Sequence, residues 1–220
     1  EIYTLSLHDA LPIWLRPNEL CFIEKNLITN ANTPAEYSVF CKSSMIDIDP
    51  EYQGRPFGGL AIICKNQPNL SFYELDTFNN RTLAVAVNDK LGNMSQILLN
   101  VYMPFYSNEY EQTERFMETI DSLQSFLDNH AMSCPVKLFG DFNAKLPNKQ
   151  KLNSTWYKHN GFTRHSSILY DFLCSNNLIV ADFLYPQSCN YTYFCITNNT
   201  YTWLDHVFVP SFDKIGRAHV

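Results

Sequence analysis

The apolar residues of this chain fall into short runs that have the length and composition of β-strands. Branched and aromatic side chains dominate the runs, and turn-rich segments such as Asn66–Asn69 and Asp76–Asn80 separate them. The predicted strands are Phe57–Lys65, Thr82–Val87, Gln96–Tyr102, Val136–Phe139, Leu178–Phe183, Tyr191–Ile196 and Thr202–Val209. Strands therefore dominate the predicted fold.

Two segments have the periodicity of helices instead. Glu109–His130 has one apolar stripe at helical spacing and acidic residues at its start, where the helix dipole favours them. The stripe consists of Phe116, Ile120, Leu123 and Leu127. Ser166–Asn177 is the second predicted helix. Many strands with few helices between them predict an α/β architecture in which sheet packs on sheet and helices lie outside.

Composition narrows the class of protein. The 220 residues are 45% hydrophobic and 17% charged, which is enough for a real core and argues against disorder. The net charge of −6 counts mildly against a module that only binds nucleic acid, but not against a nuclease with an acidic metal site. No apolar run approaches the ~20 residues of a membrane span, so no membrane partner is expected. The seven cysteines show no C-x-x-C spacing, which favours reduced thiols in an intracellular protein, nuclear or cytoplasmic, over a zinc site.

Both ends of the chain resemble translated sequencing adapters. Residues 1–13 read EIYTLSLHDALPI, and residues 215–220 read IGRAHV. The reading frames of the two adapters continue into Trp14 and Lys214. We therefore expect natural sequence over residues 14–214 only, and few core contacts from the two terminal segments.

Polar residues follow the predicted strand Val136–Phe139 in the sequence Gly-Asp-Phe-Asn. Gly140 is expected to permit a sharp turn, and in extended chain Asp141 and Asn143 would point the same way. A carboxylate there can hold a hard cation or orient a water molecule, and an amide can donate to a phosphate oxygen. For this motif alone, an ordinary polar turn is the alternative.

Four further segments accompany that motif. They are Gly54–Ile62 (GRPFGGLAI), Asn100–Pro104 (NVYMP), and the pair Tyr191–Phe194 (YTYF) with Thr202–Val209 (TWLDHVFV). Together the ordered motifs resemble the endonuclease/exonuclease/phosphatase superfamily of deoxyribonuclease I and the apurinic/apyrimidinic endonucleases. They are most similar to the endonuclease domains of LINE-type (non-LTR) retrotransposons. The resemblance covers about residues 14–212 and implies a deoxyribonuclease I-like sandwich of two mostly antiparallel or mixed β-sheets flanked by helices, incomplete at both ends.

The resemblance also implies roles for individual residues. Asp141 would hold Mg²⁺ (or Mn²⁺) and orient or activate the attacking water, while Asn143 and Tyr102 would contact the scissile phosphate. Thr192 and Asn100 would bind substrate, and Asp205 would orient a catalytic histidine. His206, next to Asp205, is expected to be structural. These side chains are expected to converge at one end of the sheets around an acidic cleft.

The sequence departs from the family pattern at both ends. The position of the family's metal-binding Glu falls on Pro12, the early Asn is absent, and no Ser-Asp-His follows Asp205. The resemblance therefore implies that one metal ligand, one phosphate contact and the acid/base histidine are missing, so that the chain as given has little activity.

Three functions remain open from the sequence. The resemblance implies a DNA-nicking endonuclease of a retrotransposon, with DNA as substrate and a reverse transcriptase domain downstream in the longer parent protein. The alternatives are another phosphodiesterase or phosphatase of the superfamily, such as one acting on inositol phosphates or sphingomyelin, and a non-catalytic module or fragment without function.

Overall fold

The computed structural model describes residues 2–3, 37–45, 58–107, 109–146, 163–183 and 191–212. All predicted site residues lie within these ranges. The segment Gly54–Phe57, residue 1, residues 4–13 and residues 215–220, on which other predictions fall, lie outside them.

The described elements alternate between strands and a few helices. The strands are β1 (Ile2–Tyr3), β2 (Tyr37–Ser43), β3 (Gly59–Lys65), β4 (Ser71–Leu75), β5 (Thr82–Asn88), β6 (Met94–Tyr102), β7 (Val136–Asp141), β8 (Leu178–Val180), β9 (Tyr193–Cys195), β10 (Thr200–Thr202) and β11 (Asp205–Pro210). The helices are α1 (Tyr110–His130), α2 (Arg164–Ser175) and a 3₁₀ turn at Ala181–Phe183.

A six-stranded sheet in the order β4-β5-β6-β7-β11-β8 forms the centre of the fold. Its neighbours pair antiparallel except β6 and β7, which are parallel and are connected through α1. A parallel pair needs such a crossover, because the chain must return to the starting end of the sheet. As a result, the C-terminal ends of β6 and β7 lie at the same end of the sheet.

A three-stranded sheet, β1-β3-β2, packs on one face of the central sheet. Alternate residues of the strands in both sheets fill the space between them. The buried residues of this layer are Leu60, Ile62, Cys64, Leu83, Val85, Val87, Leu98 and Phe139. The two-residue strand β1, from the segment expected to make few core contacts, pairs with Ile63 and Cys64.

Helices α1 and α2 cover the other face. The stripe predicted for α1 is buried there, against residues such as Leu99, Leu138 and Phe208. Thr163 caps α2 by accepting a hydrogen bond from the Ser166 backbone, and Ser166 bonds back in a capping box. The predicted sandwich with outer helices is confirmed by this arrangement.

Several predicted boundaries were wrong for identifiable reasons. Thr202–Val209 is two strands rather than one, because Thr200–Thr202 pairs with Tyr193–Cys195 in a separate hairpin while β11 joins the central sheet. The predicted strand Leu178–Phe183 ends at Val180 and continues as the 3₁₀ turn. β2 and β4 were not predicted. β4 is an edge strand with mostly exposed side chains, and no apolar alternation marks it.

Candidate active site

Four polar residues occupy one line across adjacent strands of the central sheet. Tyr102 of β6 lies opposite Asp141 of β7, and Asp141 lies opposite Asp205 of β11. On the other side, the Tyr102 backbone N–H donates to the Arg81 carbonyl at 2.9 Å, one residue beyond the last pair of β5 and β6. Directly opposed residues share a face of the sheet. We call Arg81, Tyr102, Asp141 and Asp205 the polar row.

The polar row lies on the face against which the three-stranded sheet packs. Tyr102 packs against that core layer, and Arg81 is two residues before Leu83, which belongs to it. The row thus brings together three residues that the sequence predicted to converge, together with an arginine that it did not. Instead of a purely acidic cleft, the site has a carboxylate end and a cationic end.

Gly140 allows β7 to run close beside β6 at this edge. Its φ is +137°, and a Cβ there would clash with the Val101 carbonyl and lie 2.9 Å from Asn100 Oδ1. The predicted sharp turn is therefore wrong: β7 continues through Gly140 to Asp141, and the glycine serves close approach of two strands.

Asp141 is 4% exposed, and the turn that follows it fixes its carboxylate. The backbone N–H of Asn143 donates to Asp141 Oδ1 at 3.0 Å, and Asn143 Nδ2 donates to the Met103 carbonyl at 2.9 Å. Asn143 has a φ of +47°, so the extended geometry expected from the sequence is not adopted. Asn tolerates this left-handed conformation better than most residues do, and such positions cluster at functional sites.

Tyr102 lies between opposite charges. Burial raises the pKa of its phenol, the negative charge of Asp141 raises it further, and the positive charge of Arg81 offsets part of the rise. The hydroxyl is therefore protonated at neutral pH and can donate a hydrogen bond. The guanidinium carbon of Arg81 lies 5.4 Å from the centre of the Tyr102 ring, which is a cation–π distance.

Asn100 and Gly58 lie next to Tyr102 and restrict its position. Asn100 is only 1% exposed, and its Nδ2 donates to the Ala61 carbonyl of β3 at 3.0 Å, so that it ties the two sheets together. Gly58, with a φ of +68°, lies so close that a Cβ would be 3.0 Å from Tyr102 Cδ1. The structure places Asn100 in the interior, and its predicted contact with substrate stays a prediction.

Thr192 fixes the start of β11. Its hydroxyl oxygen accepts hydrogen bonds from the backbone N–H groups of Leu204 and Asp205, at 3.0 and 3.1 Å. The Asp205 carbonyl in turn accepts from Trp203 Nε1 at 2.7 Å. The predicted substrate residue Thr192 is thus next to the polar row, where it positions the backbone of Asp205.

His206 faces the opposite side of the sheet from the polar row. It is 2% exposed, lies near Phe142, Phe183 and Phe208, and its Nδ1 is 2.8 Å from Asp182 Oδ2. His206 therefore belongs to the core between the central sheet and the helices, and the sheet separates it from the polar row.

The donor chemistry of the polar row fits a hard divalent cation. Asp141 and Asp205 supply two carboxylates from directly opposed strand positions. Within the described ranges, no cluster of three or more His, Cys, Asp or Glu side chains is close enough to form a complete protein cage. Mg²⁺ is typically held by one or two carboxylates with water molecules completing its shell, so the residues present fit that ion.

Comparison with known proteins defines the class of fold. No family model and no curated protein matches the chain. Solved structures with the same sandwich include those of endonuclease/exonuclease/phosphatase proteins, which confirms the predicted deoxyribonuclease I-like architecture. No helix in the described part of the chain is long and apolar enough to cross a membrane.

Three of these structures show the extent of the likeness. The 3′-5′ exonuclease NExo from Neisseria meningitidis superposes with a TM-score of 0.53 at 17% identity, over 88% of this chain and 82% of that one. A mannosyl-6-phosphatase from Bacteroides thetaiotaomicron gives 0.52 at 14% identity, over 87% and 68%. An endonuclease/exonuclease/phosphatase family protein from the same organism gives 0.50 at 14% identity, over 88% and 65%. Another structure of NExo, there described as a 3′ phosphatase, is bound to product DNA hairpin.

Proposed function

We propose that this chain is part of a metal-dependent phosphodiesterase that cuts DNA. The observation that supports it is the polar row, in which a protonated phenol lies between a buried carboxylate and a guanidinium at one sheet edge. A tetrahedral phosphate needs donors for its oxygens and a base or water-positioning group behind its phosphorus. The row offers both on one face.

The residues divide the chemistry between them. Asp141 orients the attacking water and accepts its proton as the new P–O bond forms and the bond to the leaving oxygen breaks. Tyr102 donates to a non-bridging oxygen and opposes the charge that develops there. Asn143 donates its second amide hydrogen to the same phosphate, since its first is bonded to the Met103 carbonyl.

Asp141 would hold Mg²⁺ or Mn²⁺, and the bound ion would supply Lewis-acid stabilisation of the phosphate. Thr192 and Asn100 act indirectly in this proposal. Thr192 holds the backbone of Asp205, and Asn100 holds β6 against β3 beneath Tyr102. Asp205 orients a proton-transferring group at the far end of the row.

The finer proposal is a DNA-nicking endonuclease of a non-LTR retrotransposon that acts inside the cell, nuclear or cytoplasmic, beside a reverse transcriptase domain. The motifs Gly54–Ile62 and Asn100–Pro104 support this branch. A phosphomonoesterase is the second candidate, because a mannosyl-6-phosphatase has the same fold.

The test is a supercoiled-plasmid nicking assay with Mg²⁺. It compares the 220-residue chain, a version extended with the flanking coding sequence of its natural gene, and extended versions with Asp141→Ala or Asp171→Ala. The extended version shows whether flanking residues of the gene add to the activity. We expect nicking only from the extended forms with Asp141 intact, and the exposed carboxylate of Asp171 serves as control.

Two outcomes would contradict the proposal. Nicking that survives Asp141→Ala would remove Asp141 from the chemistry. Hydrolysis of sugar phosphates without any nicking of plasmid would favour the phosphomonoesterase.

A further inference from the structure

The two edges of β11 are held in different ways. On one side, its first four residues, 205–208, pair with β7. On the other side, β8 pairs with β11 only from Phe208 onward, because β8 ends at Val180 and the chain continues as the 3₁₀ turn Ala181–Phe183. In the described part of the chain, no strand therefore covers the outer edge of β11 beside Asp205, the last member of the polar row.

Side chains take the place of a partner strand at this edge. Thr192 Oγ1 accepts from the Asp205 N–H at 3.1 Å, and Trp203 Nε1 donates to the Asp205 carbonyl at 2.7 Å. Two residues further along β11, the backbone N–H of Val207 donates to Asp182 Oδ1 at 3.0 Å. Backbone groups that are satisfied in this way hold the strand edge much as a neighbouring strand would hold it.

Asp182 contacts two consecutive residues of β11. Its Oδ1 accepts from Val207, and its Oδ2 lies 2.8 Å from Nδ1 of His206, which follows Asp205 directly. The side chain of Asp182 is 9% exposed and that of His206 is 1% exposed, and the imidazole stacks on the ring of Phe208. Because one rigid carboxylate binds the strand at two points, it restricts both the position and the twist of β11 beside Asp205.

The position of Asp205 matters to the proposed chemistry. Asp205 lies opposite Asp141 and orients a proton-transferring group, and a misplacement of about 1 Å in such a site can lower the rate on the order of a hundredfold. Asp182 itself takes no part in that chemistry. We propose that Asp182 is a positioning residue for the reaction: through His206 and Val207 it fixes the outer edge of β11 and thereby the position of Asp205 in the polar row. This assignment rests on the proposed function and adds a residue to it.

The first measurement is amide hydrogen exchange in the 220-residue chain, followed residue by residue by NMR, so that it does not depend on cleavage. Asp182→Ala should speed the exchange of the Val207 amide about tenfold, since one hydrogen bond is lost. The exchange of the Asp205 amide should rise by a smaller factor, because its own acceptor stays in place. Unchanged exchange in β5 and β6 shows that the variant is folded.

Asp182→Asn is the conservative variant. Its amide oxygen can still accept from Val207, and its amide nitrogen can donate to His206 Nδ1 when the imidazole takes its other tautomer. This variant should therefore keep most of the wild-type protection of the Val207 amide. It also separates hydrogen bonding from charge, because the negative charge is lost while both contacts can be made.

Asn176→Ala is the matched control for the loss of two side-chain contacts. The side chain of Asn176 donates to Gln124 Oε1 at 2.7 Å and to the Phe172 carbonyl at 2.9 Å. Asn176 is the C-cap of α2, and the carbonyl of its neighbour Asn177 accepts from Ser211, beyond the far end of β11. Its replacement should cost stability without moving the end of β11 that belongs to the polar row.

The second measurement is steady-state nicking of plasmid by the extended chain with Mg²⁺. Asp182→Ala should lower kcat on the order of tenfold and leave KM unchanged, because the contacts that bind substrate remain while a group that acts in the transition state is displaced. Asp182→Asn should keep most of the wild-type kcat. Asn176→Ala should change neither constant.

The outcomes distinguish this assignment from the proposed function. If Asp182→Ala does not speed the exchange of Val207, or speeds it without lowering kcat, the assignment is wrong while the proposed function stands. The same conclusion follows if Asn176→Ala lowers kcat as much, or if Asp182→Asn is as slow as Asp182→Ala. If the extended wild-type chain does not nick DNA, both the assignment and the proposed function are wrong.

Discussion

Replacing Gly140 with alanine tests how the polar row is built. The perturbation has two parts, because Gly140 has a φ of +137° and because a Cβ would clash with the backbone of Val101 on the neighbouring strand. The first part costs about 1–3 kcal/mol, as for other residues held in sparsely populated backbone regions. The clash of the added Cβ cannot be relieved by a rotamer change, because the atom it meets is the backbone carbonyl oxygen of Val101.

Relief of the clash requires β7 to move away from β6. The contacts at risk include the 2.8 Å hydrogen bond from Met103 N–H to the Asp141 carbonyl. Losing one or two such bonds adds about 1–2 kcal/mol, so the total is about 2–5 kcal/mol. That is a large share of the roughly 5–15 kcal/mol that stabilises a typical domain.

The assay is urea denaturation followed by circular dichroism, with Gly92→Ala as the matched control. Gly92 has a φ of +84°, but nothing lies within 4 Å of its added Cβ, so this variant has only the backbone part of the cost. For a difference of about 1–2 kcal/mol and an m-value of about 2 kcal/mol/M, the Gly140→Ala midpoint should fall about 0.5–1 M further. Equal midpoints for the two variants would refute the reasoning that close strand approach requires Gly140.

Two further predictions concern stability away from the row. His165 is fully buried against Phe116, and burial, followed by the charge of Arg164, lowers its pKa from 6.5 to about 4. A lowered folded-state pKa means that the unfolded chain binds the proton first, so stability is complete above pH 6.5 and falls as the pH drops towards 4. Thermal melts should show that the melting temperature of the wild type falls between pH 6.5 and 4, and that the fall is smaller in His165→Phe. Identical dependence of the melting temperature on pH in the two proteins would contradict the role of His165. Thr192→Val removes the acceptor of two backbone N–H groups at β11 and should cost about 1–3 kcal/mol by urea denaturation, against almost nothing for the exposed Thr200→Val. Equal stability of these two variants would exclude the anchoring role of Thr192.

The strands that the sequence predicted well are the ones buried on both faces. β3, β5, β6 and β7 are continuous apolar runs, and each was predicted to within two residues at either end. β4 was missed because most of its side chains are exposed, so no apolar alternation marks it. The break at Trp203–Leu204 was missed because it depends on a hydrogen bond to Thr192, twelve residues earlier than Leu204.

Part of the site was predicted from the sequence because some of its residues adjoin apolar runs. Tyr102 and Asp141 each stand at the end of an apolar run, which is visible in the sequence, whereas Asp205 was identified through the motif Thr202–Val209. Arg81 precedes its strand, and its relation to Tyr102 depends on the register between β5 and β6. Counting outward from the tight turn near Asp89–Asn93 would have placed Arg81 opposite Val101, because the register of the two strands shifts by one residue at Val87–Asn88. The left-handed backbone of Asn143 had no signal in the sequence beyond the general tolerance of asparagine for that conformation.

The polar row has a consequence for how such a site can change during evolution. The hydrogen bonds between neighbouring strands, rather than side-chain contacts, set the spacing of its members. Adjacent members are therefore about 4.8 Å apart along the sheet. A substitution at one position alters the chemistry of that step and leaves the other intervals unchanged. Different side chains can therefore occupy the four positions while the spacing between them is kept.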